Sequence, residues 1–324
     1  MRFGVVGTGA ISDWFVAACR QAGGTPVAVS SRDSAKGREF AARHGLEAAT
    51  VGVERLARMD DLDAIYVASP IGAHFDHVVT ALEAGKHVLC EKTLARSPAQ
   101  VEALFAKAED NRRVLLEAVR PVHDPAYELI RAAVRRLGVI RWAHFEMCQY
   151  SSRYPAYRRG LAPRALDPAS GNSALRDLGV YCIHPCLELF AEPLDVFGAS
   201  YTLDNGFEAG GNALLSYDAM TVTCAWSKVT QSTGGSFIQG EDASLMIDHV
   251  ANPARVDLVT TAGASQPVLD GLPKQARDTL HHEISAFIRL CRSGDVRHRF
   301  RRGSIAAERI IHRLETRPPS AQAA

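Results

Sequence analysis

The first third of the chain keeps a rhythm that few folds accommodate: five short apolar strands alternating with four helices, with glycines at the first junction. Residues 3–6, 26–30, 64–68, 87–90 and 114–117 read as strands, on runs such as Ile65-Tyr66-Val67 whose branched and aromatic side chains suit a pleated backbone. Residues 11–22, 34–44, 75–84 and 98–109 read as helices, with Gly85 stopping the third and Pro98 opening the fourth. Strand–helix alternation at this spacing predicts a parallel, doubly wound sheet.

After about residue 120 the rhythm changes. Residues 126–136 read as a helix, and 140–150 as a strand in which Ile140, Trp142 and His144 oppose Arg141, Ala143 and Phe145. A Gly/Pro/Ser-rich stretch over 160–171 precedes a helix over 174–190 and a long β-rich region. There Met220, Val222, Cys224 and Trp226 alternate with Thr221, Thr223, Ala225 and Ser227, as in a half-buried antiparallel strand. Helices over 276–291 and 304–314 close the chain, and the run from Arg317-Pro318-Pro319 onward reads as a frayed tail. A length of 324 residues suits two cores. The division expected is a dinucleotide-binding domain over 1–120 and a substrate-binding and oligomerisation domain over 121–324.

A formal net charge of +1 gives no global field for nucleic acid or an anionic membrane. The cluster Arg297, Arg299, Arg301 and Arg302 reads as a solvated loop and helix start. Seven scattered cysteines, with no Cys-x-x-Cys pair, argue against a disulfide framework and against a metal site. No stretch resembles a secretory leader, and no apolar run reaches the roughly eighteen residues of a membrane helix. The expectation is a cytoplasmic protein.

Gly7-Thr8-Gly9-Ala10-Ile11-Ser12 stands where the first strand meets the first helix. Glycines let the backbone turn tightly beside a pyrophosphate, and the helix N-terminus offers free N–H groups and partial positive charge. Ser12 replaces the usual Gly or Ala but is small enough for close helix packing. The second strand ends in Ser30-Ser31-Arg32-Asp33. NAD-selective sites place an acid at this tip to hold both ribose hydroxyls. Ser31 and Arg32 instead match a 2′-phosphate, so NADP is favoured. NAD stays possible if Asp33 reaches the ribose through a shift of one residue.

The fourth strand runs into Cys90-Glu91-Lys92-Thr93, and ligands gather at the carboxyl ends of such strands. In the second half, Asp177, Tyr181, His184 and Glu188 fall at helical spacing in an otherwise apolar segment. Such a stripe faces either water or a site. Hydride exchange at a carbinol also requires a proton to move at its oxygen. A tyrosine does this when a nearby cation makes its phenolate accessible, and Lys92 can be that cation. Asp177 can hold either the substrate or the lysine.

These residues carry a wider resemblance. The Gly7-x-Gly9-x-Ile11 turn, Ala68-Ser69-Pro70 followed by His74, the block Ala84-Gly85-Lys86-His87-Val88-Leu89-Cys90-Glu91-Lys92, and Ser173-Ala174-Leu175-Arg176-Asp177-Leu178-Gly179-Val180-Tyr181 resemble the glucose–fructose oxidoreductase / inositol dehydrogenase / MocA (Gfo/Idh/MocA) family. The resemblance implies an α/β protein: an N-terminal Rossmann domain, then a C-terminal α/β domain on a large, mostly antiparallel open sheet. It implies that Gly7, Thr8, Gly9, Ala10, Ile11, Ser69, Pro70, His74, Glu91 and Lys92 surround the cofactor. It implies that Asp177 is a site residue and that Tyr181 stands at the acid/base position. The family's Glu-Lys-Pro is Glu91-Lys92-Thr93 here, the glycine run before the aspartate block is thinned to Ser170-Gly171-Asn172-Ser173, and Ile71 replaces a common asparagine.

The function expected is an NADP-preferring oxidoreductase acting on a sugar, polyol or related diol, with Lys92, Asp177 and Tyr181 at the chemistry. His123, Tyr150, Arg153 and His184 are further substrate-contact candidates. The competing reading is a catalytically silent dinucleotide-binding sensor or assembly protein. A broad sheet covered on one face leaves the other to be covered, which predicts a homodimer or higher homo-oligomer.

Overall fold

The structure is a computed structural model that describes residues 1–316, so the proposed frayed tail lies outside the described residues. Two compact units divide the chain: Met1–His123 together with Ala276–Ile305, and Asp124–Gln275 together with the segment from Ala306.

The first unit runs β1 (Arg2–Val6), α1 (Ala10–Gln21), β2 (Thr25–Ser30), α2 (Ser34–His44), β3 (Ala48–Thr50), α3 (Val53–Ala57), β4 (Ala64–Val67), α4 (His74–Glu83), β5 (His87–Glu91), α5 (Pro98–Asp110) and β6 (Leu115–Ala118). Its sheet is parallel throughout, in the order β3-β2-β1-β4-β5-β6. Strand order reverses between β1 and β4, which opens the ligand crevice of a doubly wound sheet at their carboxyl ends. Both faces of the sheet are sealed. Val27, Ile65, Val67 and Val88 pack with Leu82 and Leu104 on one side, and Phe3, Val5 and Tyr66 with Phe15 and Val16 on the other.

The second unit contains α6 (Pro125–Val134), β7 (Ile140–Cys148), α7 (Tyr154–Tyr157), a π-helical turn (Leu175–Gly179) leading into α8 (Val180–Phe190), and then β8 (Asp195–Thr202), β9 (Glu208–Ser216), β10 (Thr221–Ser227), β11 (Ser236–Gly240), β12 (Ala243–Ile247), β13 (Arg255–Thr260) and β14 (Ser265–Asp270). Its eight strands lie in the order β14-β13-β12-β11-β7-β10-β9-β8. Every pairing is antiparallel except β7 with β10. The strand expected to be antiparallel, β10, is therefore so only toward β9. One face of the sheet is the core: Phe145, Leu215, Val222 and Leu245 pack against Ile130 of α6 and Ile183 of α8. The opposite face carries Trp142, Phe197, Leu214 and Met246, each about 40 % exposed.

Two helices end the described chain, α9 (Ala276–Ser293) and α10 (Phe300–Thr316). The expected second domain, 121–324, included all of this segment. The structure instead gives α9 to the first unit, because Leu280, Ile284 and Phe287 lie in the same buried cluster as Phe3 and Phe15. An amphipathic helix joins whichever core its apolar stripe fits, whatever its place in sequence. The expected separate domains are thus discontinuous in the chain.

Candidate active site

In the first unit, the turn after β1 is built around Gly7. Its φ is +112°, and a Cβ there would stand 2.6 Å from the Ala68 carbonyl oxygen. A side chain at this position would meet both a backbone penalty and a collision. Gly9 caps α1 with no side-chain hydrogen bond, and a Cβ on it would meet nothing within 4 Å. The first N–H groups of α1 therefore face a cradle left by the chain itself. Ala10 and Ile11 begin that helix, Thr8 stands in the turn, and Ser12 is fully buried behind it.

At the tip of β2, the Ser31 N–H donates to Thr50 O at 3.1 Å, which ties the loop to β3. Asp33 accepts from the N–H groups of Ala35 (2.9 Å) and Lys36 (3.1 Å) as the cap of α2. Both bonds fall on Oδ1, so this carboxylate is oriented by its own helix. Arg32 is exposed and lies near enough to His77 to add to the effect of burial, which pushes that imidazole's pKa down.

His74, expected beside the cofactor, is an internal group. It is buried, with Nδ1 at 2.9 Å from Thr93 O and Nε2 at 2.8 Å from Ser69 O. Burial lowers its pKa, against the two carbonyl acceptors, which raise it. It braces the Ser69-Pro70 turn against the segment after Lys92. The Lys92–Thr93 peptide is cis. Glu91 is likewise an internal group: its Oε1 accepts from Tyr66 OH at 2.5 Å. Burial raises the pKa of Glu91 and, more strongly, that of Glu283 on α9, to which the neighbouring Glu91 adds. Lys92 follows directly, half-buried at the carboxyl end of β5, on the ligand edge of the sheet.

In the second unit, Asp177 lies in the π-helical turn and Tyr181 at the start of α8, four residues on. Single π-turns widen a helix by one residue and are frequent at functional sites. Three side chains the sequence did not single out hold this turn. Glu208 accepts from Leu175 N–H at 2.7 Å and from Trp226 Nε1–H at 2.9 Å. Arg176, buried, donates to Glu308 at 2.9 and 3.0 Å and to Glu315 at 2.7 and 2.8 Å. Lys228 forms an ion pair with Asp177 Oδ2. Asp177 therefore meets a lysine of its own unit.

The expected polar stripe divides. His184 is buried, its pKa pushed down to about 4 by desolvation, and Glu188 pairs with Arg131 of α6 at 3.1 Å. The π-turn ends at Gly179, so it shifts Asp177 against the rest of the stripe, while Tyr181 and His184 are both buried in α8. Tyr150 is exposed, edge-on to Tyr154 at 5.6 Å, and Arg153 starts α7 beside it. Both belong to the loop joined to β10 through Gln149 N–H to Ser227 O and Ser151 N–H to Lys228 O, each 2.8 Å. His123 belongs to the first unit, 4.5 Å from the Phe300 ring.

Residues 1–118 match the family described as "Oxidoreductase family, NAD-binding Rossmann fold" (GFO/IDH/MocA), and residues 127–246 match the "GFO/IDH/MocA C-terminal domain". The chain belongs to the Gfo/Idh/MocA oxidoreductase family. Among its relatives, a scyllo-inositol 2-dehydrogenase (NADP(+)) of Bacillus subtilis (strain 168) is 34% identical, over 90% of this chain and 88% of that protein. A trans-1,2-dihydrobenzene-1,2-diol dehydrogenase of Xenopus tropicalis is 31% identical, over 67% of this chain and 65% of that one. A solved 3-ketoreductase from Actinomadura kijaniata, in complex with NADP and TDP-benzene, superposes with a TM-score of 0.84 at 25% identity, covering 98% and 97% of the two chains.

As a Gfo/Idh/MocA protein, the chain is expected to hold a nicotinamide dinucleotide, and its residues fit one. The uncapped start of α1, the open cradle at Gly9 and the crevice between β1 and β4 suit a pyrophosphate. Among the described residues, no group of three His, Cys, Asp or Glu could hold a metal ion, and no helix is long and apolar enough to cross a membrane. All seven cysteines are free thiols.

Proposed function

We propose that this protein is an NADP-preferring dehydrogenase or reductase acting at a hydroxyl or keto carbon of a sugar, polyol or related diol. The observation that carries the cofactor choice is the tip of β2, where Asp33 is engaged by its helix and Ser31 and Arg32 remain for a 2′-phosphate. When bound, the nicotinamide supplies or accepts the hydride. Tyr181 gives a proton to the substrate oxygen in reduction and takes it back in oxidation. Lys92, at the ligand edge of the parallel sheet, stabilises negative charge on that oxygen and favours the phenolate of Tyr181. Asp177 accepts a hydrogen bond from a substrate hydroxyl. The relatives named above, which act on inositol, a dihydrodiol and a keto group, support this substrate class.

The test is a panel of sugars, polyols, trans-diols and keto-sugars, followed through nicotinamide absorbance with NADP and NAD. Lys92→Ala and Tyr181→Phe are expected to cost about 10²- to 10⁴-fold in kcat. Tyr181→Phe should leave the NADP dissociation constant within a few-fold. A protein that binds NADP yet turns over none of the panel would be the silent binder instead.

We further propose that the open face of the second unit's sheet pairs with a second copy. Trp142 and Phe237 meet edge-on at 4.7 Å there, and Phe197 pairs across strands with Leu214 beside a cavity of about 500 Å³. Contiguous exposed apolar surface of this kind marks an interaction site. Size-exclusion chromatography of the wild type should give a dimer or larger, and Leu214→Glu should shift it toward the monomer.

A further inference from the structure

Lys228 follows β10 directly and is almost completely buried, a place where a lysine is rarely found without a partner. Its position is fixed at both backbone groups: its N–H donates to Ala209 O on β9, and its carbonyl accepts from Ser151 N–H, each at 2.8 Å. From that point the stem carries the ammonium onto Asp177 Oδ2. The pair has an inner and an outer member, since the lysine side chain is 9% exposed and the aspartate side chain 32%. Asp177 can thus be reached by a solute while Lys228 cannot.

The backbone on either side of the pair is equally constrained. Glu208 links Leu175, two residues before Asp177, to Trp226, two residues before Lys228. Arg176 anchors the π-turn to Glu308 and Glu315 on α10. The charged and titratable groups of this corner include Arg176 with Glu308 and Glu315, Glu208, whose pKa burial raises, and Tyr181 on α8. The other cation named here, Arg176, is held by its own two carboxylates. Lys228 pairs with Asp177.

We propose that Lys228 is the positioning residue of the substrate site: its ammonium fixes the Asp177 carboxylate, ionised, in one pose a helical turn before Tyr181. The proposal rests on the function proposed above, in which Asp177 accepts from a substrate hydroxyl. Lys228 acts through Asp177 and touches no substrate. Without the ammonium, the carboxylate would keep its place in the turn but lose its counter-charge and its aim.

The experiment compares Lys228→Met, Lys228→Arg, Asp177→Asn and the Lys228→Met/Asp177→Asn double variant in the full-length protein. Misplaced binding groups cost up to about 100-fold, so Lys228→Met should lower kcat/KM by about 10- to 100-fold, with NADP affinity unchanged. Losing an opposite charge at contact distance should move the acid limb of its pH profile upward by about one to three pH units. Lys228→Arg should restore most of the rate and the wild-type limb. The double variant should be scarcely worse than Asp177→Asn alone, because both changes remove one device. A limb that stays in place, together with losses that multiply, would overturn the proposal. The carboxyl titration of Asp177, read by ¹³C NMR in wild type, Lys228→Met and Lys228→Arg without substrate, tests the pair independently of activity. It should move upward in Lys228→Met and return in Lys228→Arg, and an unmoved curve would equally overturn it. If the wild type turns over no substrate, the functional reading fails while this titration still judges the pair.

Discussion

The two halves of the proposed site are made in different ways. The dinucleotide turn of the first unit is made of six consecutive residues, 7–12, and works mainly through main chain: a positive φ, a carbonyl packed close, and N–H groups at a helix start. The Asp177 corner of the second unit is made of side chains brought from far apart. Lys228 is 51 residues from Asp177, Glu208 is 33 from Leu175, and Glu308 is 132 from Arg176. A backbone device depends on local conformation and is cheap to keep. A side-chain device depends on the whole unit being folded, and its buried charges become liabilities when one partner is lost. Changes in the second unit should therefore register in stability as well as in turnover. Changes at the first unit's cofactor loop should register in affinity alone.

The sharpest way to break this contrast is Arg176→Met. The guanidinium and the Glu308 carboxylate are both almost fully buried, so the substitution leaves an unpaired charge inside the second unit. The expected cost is about 3–5 kcal/mol, read as a lower urea midpoint for the transition of that unit. NADP affinity should hardly change in the folded protein. A midpoint equal to wild type would show that the triad is as expendable as a surface pair, and the contrast between the two units would fail.

A smaller effect comes from His184. An unfolded histidine titrates near 6.5, whereas burial in the core of the second unit has pushed this one down to about 4. Between those values the unfolded chain binds a proton that the folded chain does not, so stability falls as the pH drops through this window. The loss amounts to about 2–3 kcal/mol by pH 4.5 relative to pH 7. Unfolding measured at both pH values should show His184→Leu losing less stability on acidification than wild type, by about that amount. Parallel losses in the two proteins would place the imidazole in contact with water.

How much of this could be read beforehand follows the same divide. Strand–helix alternation and the glycine turn are local patterns, and the first unit's main strands and helices stand where the sequence put them, give or take a residue or two. The exceptions are β3 and α3, too short for periodicity to register. The return of α9 to the first unit was not legible, because an apolar stripe does not say which core it fits. The burial of His184 was not legible, because helical spacing gives a face and not what covers it. Arg176 left no trace, since a buried and an exposed arginine look alike in sequence. Lys228 did leave one. Val222, Cys224 and Trp226 are the buried apolar positions of β10, and 228 continues their parity past the strand end. A lysine on the inward side of such a strand calls for an internal partner, and Asp177 is that partner.

The smallest expected effect tests the first unit's side of the contrast. Ser31 and Arg32 follow β2, and neither is part of a core. Replacing Arg32 with Ala removes charge-assisted hydrogen bonds from a 2′-phosphate, each worth about 1.5–3 kcal/mol, so NADP affinity should fall by about 10- to 100-fold. NAD lacks that phosphate, and its affinity should stay within a few-fold. Ser31→Asp should go further in the same direction, weakening NADP by charge repulsion while offering NAD an acceptor for its ribose hydroxyls. Neither change should move the stability read from urea unfolding by more than about 0.5 kcal/mol, as for other positions outside a core. Titration with both dinucleotides, by calorimetry or protein fluorescence, decides the matter. Equal losses for NADP and NAD would mean that the loop serves the dinucleotide's common part. The discrimination would then have to come from outside this loop, and the cofactor site would prove less local than its glycine turn implies.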